Sequence, residues 1–134
     1  MGDGAAAIAT SYSVWPQVEG AGKINRVQTI LVLNNDQMGQ GDRELGQRVL
    51  TTFLQKAIAL AGLDAVLFYN AGVKLVAADS PVLAELRELE HRGVDLIPCG
   101  TCVQAYGVDV QAGTISDMDT IIREMNTAQK VITL

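Results

Sequence analysis

The chain holds only two cysteines and one histidine, and its ten basic residues are outnumbered by fifteen acidic ones. Each scarcity removes a class of function. Two cysteines are too few for a disulfide scaffold. A zinc site needs about four ligands, and the chain offers Cys99, Cys102 and His91. His91 falls near the end of a helical stretch, where a cation complements the helix dipole, so no metal is expected. A net charge of −5 argues against nucleic acid and against an anionic membrane surface. No apolar run approaches the roughly 18 residues of a membrane span. The first residues show neither a basic region nor an apolar signal core, which makes a reducing, cytoplasmic setting the expectation. Neither a G-x-G-x-x-G nor a P-loop occurs, and no hydroxyl-rich loop suits a flavin phosphate. No cofactor is therefore expected.

What is present is enough for one domain with a real core. The chain has 134 residues, 49% of them hydrophobic. Residues 1–26 are small and Gly-rich and read as an N-terminal tail or linker; Ile8 to Trp15 form a strand-like stretch within it. From residue 27 to 134 the pattern is regular. Val27–Asn34 is a short apolar run, as in a strand buried on both faces, Ala65–Tyr69 is a second buried strand, Val94–Pro98 and Lys130–Leu134 are two more strands, and Val73–Ala77 is a short strand or an irregular extension. Between them, Leu45, Val49, Leu50, Phe53, Leu54, Ile58 and Ala61 recur at helical spacing. Ser80-Pro81 reads as a helix start followed by the stripe Val82, Leu83, Leu86 and Leu89. Thr101–Tyr106 forms a short helix. Ser116 opens the last one, with Met118, Ile121, Ile122 and Met125 expected inward. Strands alternating with helices predict an α/β fold: a mostly parallel sheet of about five strands with helices on both faces.

In such sheets, chemistry gathers outside the carboxyl ends of the strands. Three turns should meet there: Asn34–Gly41, Asn70–Lys74 and Cys99-Gly100-Thr101-Cys102. The cysteine pair is the strongest candidate. Thiolate is a potent nucleophile near neutral pH, and a position at the start of a helix is expected to lower a thiol's pKa and to hold a persulfide anion. Asn34, Asp36, Met38, Asn70, Lys74, Gly100 and Thr101 are the candidate pocket residues around it, with Lys74 a possible cation beside the sulfurs.

The strings Asn34-Asn-Asp-Gln-Met-Gly-Gln-Gly-Asp42, Phe68-Tyr-Asn-Ala-Gly-Val-Lys-Leu75, Ser80-Pro-Val-Leu83 and Cys99-Gly-Thr-Cys102 followed by Tyr106-Gly107 occur in order. So do Ile115-Ser-Asp-Met118 and Lys130-Val-Ile-Thr-Leu134. Together they make residues 27–134 resemble the DsrE-like sulfur-relay family, with the nearest likeness to the C-terminal domain of YedF-type selenium-metabolism proteins. The resemblance implies a three-layer sandwich, a homo-oligomer, and a cysteine that carries sulfur as a persulfide. It makes Cys99 the first acceptor and Cys102 the second thiol, whereas the helix-start position favours Cys102. It also implies donor and acceptor proteins, TusA-like ones among them. The Cys-Pro-x-Pro motif of a TusA-like domain does not occur in this sequence.

Three functions follow: a sulfur or selenium carrier or sulfurtransferase working through a persulfide, a thiol–disulfide oxidoreductase using the same residues, and a non-catalytic oligomeric binding module.

Overall fold

A computed structural model describes residues 28–134. The tail read at residues 1–26 lies outside the described residues. The order of elements is β1 (Thr29–Leu33), α1 (Arg43–Lys56), β2 (Leu63–Phe68), α2 (Leu83–His91), β3 (Asp95–Pro98), α3 (Gly100–Tyr106), α4 (Met118–Thr127) and β4 (Lys130–Thr133). The strands form one parallel sheet in the order β3-β2-β1-β4. The chain steps outward from β1 through β2 to β3, then returns to the other side of β1 with β4.

The four main strands fall where the apolar runs predict them. The sheet has four strands rather than about five, because the fifth candidate does not extend. Asn70–Val76 winds instead into 3-10 turns. Gly72 explains the choice: the turn presses on the end of β1 so closely that any Cβ there would strike the Leu33 carbonyl oxygen. With Gly72 in that place, Val73, Leu75 and Val76 are driven into the core.

Side chains alternate across the sheet with a period of two. Leu31, Leu33, Val66, Phe68 and Leu96 face a large core filled by Leu50 and Leu54 of α1, Leu86 and Leu89 of α2, and Val103 of α3. Ile30, Val32, Ala65, Leu67 and Ile97 face the other way, against Ile121 of α4. The result is a three-layer α/β sandwich with one side much more thickly covered. Burying each large apolar side chain contributes about 1.5–3 kcal/mol, so the first side carries most of the packing.

Several helix details depart from the sequence reading. Leu45, Val49 and Ile58 stay exposed and Ala61 lies beyond the helix; α1 is narrow on its buried side, which only Gly46, Leu50 and Leu54 fully enter. The Ser80 hydroxyl accepts from the Val82 N–H, but it closes a turn, and α2 begins only at Leu83. Asp117, not Ser116, caps α4 by accepting from the Thr120 N–H. Met118 and Ile122 point outward, and Ile121 alone is fully buried.

Candidate functional site

The C-terminal ends of β1, β2 and β3 lie side by side, and the loops that follow them are stitched together. The Tyr69 N–H donates to the Leu33 carbonyl, and the Cys99 N–H donates to the Phe68 carbonyl. These bonds continue the parallel ladder past the last regular residues and bring the second and third turns into contact.

Cys99 closes β3 and occupies the N-cap of α3. It is 2% exposed and belongs to the core layer beneath α4. Cys102 lies three residues on, in the first turn of the helix. It is half-buried at the seam where the two core layers meet. Both thiols are free, and Cys99 is close enough to influence the ionisation of Cys102. The Asn70 main-chain N–H donates to Cys102 Sγ at 3.1 Å.

The expected depression of the thiol is reversed at Cys102. Burial pushes it above the ordinary thiol range. The Asn70 N–H pulls it back, while the hydrogen bond and charge of Cys99 push it up again. The helix start offers little counterweight because α3 has only seven residues.

The other candidates divide. Asn70 touches the sulfur. Gly100 lies directly behind it, its N–H donating to the Ser116 carbonyl at 2.7 Å, and a Cβ there would crowd Ile115 at 3.1 Å. Thr101 is exposed on the first turn of α3. Asn34 is half-buried where the Gly72 turn presses in. Asp36 is buried and held by Arg43 through two bonds of 2.9 and 2.6 Å, which keep its carboxyl below the usual carboxylate range. Met38 packs toward Leu45 and Val49 on α1, in a separate shallow apolar groove. Lys74 stands over the Tyr106 ring, its Nζ 4.7 Å from the centroid.

Two residues escaped the sequence reading. Arg43 is the partner of Asp36. Tyr106 donates its hydroxyl proton to Asn70 Oδ1 at 2.8 Å. Its signal was available: Tyr106 follows Cys102 by four residues, so the two share a face of α3. Beyond Tyr106 a cleft of about 720 Å³ opens, lined by the Asp36–Arg43 pair, Lys74 and the 77–81 turn. Among the described residues no three His, Cys, Asp or Glu side chains gather as a metal site, and no helix is long and apolar enough to cross a membrane.

Residues 33–134, which contain all of these groups, match the model of the DsrE/DsrF-like family. The chain belongs to that family. Solved structures carry the same fold. MTH1491 from Methanobacterium thermoautotrophicum, described as a protein of unknown function, is similar with a TM-score of 0.60 and 21% identity. That match covers 80% of this chain and 98% of the other. The ychN protein from E. coli matches at 0.58 and 16% identity, covering 80% and 99%. BT1422 from Bacteroides thetaiotaomicron, also of unknown function, matches at 0.58 and 18%, covering 80% and 95%. No curated protein matches the sequence. Family and fold thus agree with the resemblance read from the sequence strings, and the DsrE-like family is associated with sulfur relay.

Proposed function

We propose that this DsrE/DsrF-like protein is a sulfur carrier that holds sulfane sulfur as a persulfide on its C-x-x-C pair. One observation carries the reading: two free thiols lie three residues apart at the rim of a parallel sheet, and a main-chain N–H is aimed at the more exposed one. The exposure pattern supports Cys102 as the acceptor, with Cys99 behind it, because a donor must reach the sulfur that is less covered.

The transfer balances without an oxidant. The Cys102 thiolate attacks the outer sulfur of a donor persulfide. A new S–S bond forms on Cys102, the donor's S–S bond breaks, and the donor leaves as a thiolate. Handing the sulfur to an acceptor thiolate is the same step in reverse. If Cys99 instead attacks the inner sulfur, hydrosulfide leaves and a Cys99–Cys102 disulfide remains, which a dithiol must reduce.

The YedF-type resemblance extends the cargo to selenium, whose chemistry in this step is parallel. It also extends the reading to a homo-oligomer in the cytoplasm served by donor and acceptor proteins of TusA-like kind. The rival reading, a thiol–disulfide oxidoreductase, uses the same two free thiols, three residues apart.

Intact mass after exposure to a persulfide donor tests both. A one-sulfur adduct that disappears in Cys102→Ser is the expected result. Loss of two hydrogen atoms in the parent, with no one-sulfur adduct trapped on Cys102 in Cys99→Ser, points to the oxidoreductase, and an unchanged mass under donor and oxidant overturns both readings.

A further inference from the structure

Asn70 is the one non-glycine residue with positive φ, 51°, among the described residues. Asparagine tolerates this left-handed conformation better than most residues, yet it is still uncommon. Here it does something specific. It rotates the Asn70 peptide so that its N–H meets Cys102 Sγ at 3.1 Å. Asn70 is exposed and sits at the entrance of the 3-10 segment, where no regular element holds its side chain. What holds it is Tyr106, whose hydroxyl donates to Asn70 Oδ1 at 2.8 Å. Tyr106 in turn carries the Lys74 ammonium on its ring face. A cation there draws electron density from the phenol and makes its O–H a stronger donor.

We propose that Tyr106 is a positioning residue for the reacting sulfur: through the Asn70 side chain it fixes the main-chain N–H that stabilises negative charge on Cys102. The proposal rests on the reading of Cys102 as the reacting thiol, and it adds the device that lets a half-buried sulfur ionise at all. The groups facing Cys102 are Cys99 from the end of β3 and the Asn70 amide from the loop after β2. Tyr69 flanks the same core layer, and Tyr106 and Lys74 stand one step out, behind Asn70. Of these, Cys99 opposes the charge on Cys102 and the Asn70 amide favours it. Losing the aim of that amide leaves burial and Cys99 unopposed.

The test uses the full chain with Cys99→Ala, so that Cys102 is the sole thiol, and reads the rate of iodoacetamide alkylation against pH by intact mass. Tyr106→Phe keeps the ring under Lys74 and removes only the hydroxyl. Loosening the Asn70 N–H that faces the sulfur should move the apparent pKa of Cys102 up by about one unit. Thiolate then falls about tenfold below the midpoint, and the higher intrinsic nucleophilicity of a more basic thiolate reduces the loss of rate to about threefold. Asn70→Gly keeps the backbone conformation but drops the Tyr106 partner, and it should shift the profile equally. The double variant should shift it no further, since both changes cut one chain of contacts.

Superimposable profiles for Tyr106→Phe and its parent, with both folded by circular dichroism, overturn the proposal. So do full shifts that add in the double variant. If Tyr106→Phe does not fold, an unmoved profile in Asn70→Gly overturns it and an upward shift supports it. Because alkylation needs no sulfur donor, this result stands apart from persulfide transfer. A chain that never gains sulfur refutes the carrier reading while the profiles still judge Tyr106.

Discussion

Cys102 is poised between opposing influences, and its pH behaviour should show which wins. Burial raises its pKa first, the Asn70 N–H lowers it, and the neighbouring Cys99 raises it again. The resting group is therefore a protonated thiol at neutral pH. Its alkylation rate should still be climbing at pH values where an unhindered cysteine has levelled off. Cys99→Ala removes the partner sulfur and moves the midpoint down; the pH–rate profile of the two proteins checks both the position and the direction. Asp36 runs the other way. The Arg43 hydrogen bonds come first among the causes that hold its carboxyl low. A depressed carboxylate contributes stability above its unfolded pKa and loses it as pH falls through the folded value. Arg43→Met strips the partner from a buried carboxylate and lowers stability at pH 7. The difference from the parent should shrink steadily below about pH 4, and urea midpoints measured from pH 7 to pH 3 would show it.

Among the elements, α4 carries a share of the fold out of proportion to its length. It is the helix that covers the second side of the sheet, and Ile121 is its one fully buried residue. Ile121→Ala opens a cavity against Ile30, Val32 and Leu67 and should cost about 2–5 kcal/mol, read as a drop in the denaturant midpoint. The same helix shows where sequence patterns run out. The apolar spacing marked Met118, Ile121, Ile122 and Met125 as a buried stripe, yet a single helix on a flat sheet side buries a narrow line. Periodicity reports which residues share a side, not how wide the covering neighbour is. Strands were easier, because β1 and β2 are buried on both sides and read as unbroken apolar runs. Val73–Ala77 could be read as a short strand or an irregular extension, and the choice between them turns on Gly72 meeting the Leu33 carbonyl, which its apolar residues do not report. At the site, local spacing was enough to place the cysteines and their loops. The partnerships Asn70–Tyr106 and Asp36–Arg43 depend on how α3 and α1 lean over those loops, and only Tyr106 left a spacing trace.

For the whole molecule, the proposed homo-oligomer is directly measurable: sedimentation velocity at micromolar concentration should give a particle heavier than one chain, and a clean monomer would remove that part of the proposal. The thiols sit at the β3 edge, whereas the strand order reverses between β1 and β4, so the cysteine pair lies away from the reversal point of the sheet. The sheet order has another consequence. β1 pairs with β4 over Thr29–Val32 and Lys130–Thr133, the first and last of the described strands to be synthesised. Until α4 and β4 emerge, the nascent protein carries an open strand edge beside an uncovered row of Ile30, Val32, Ala65 and Leu67. That is a template for pairing with another chain during synthesis. The segment that carries α4 and β4 is in effect the seal on this cotranslational aggregation site, and truncation before α4 should make the protein aggregate in a sedimentation assay.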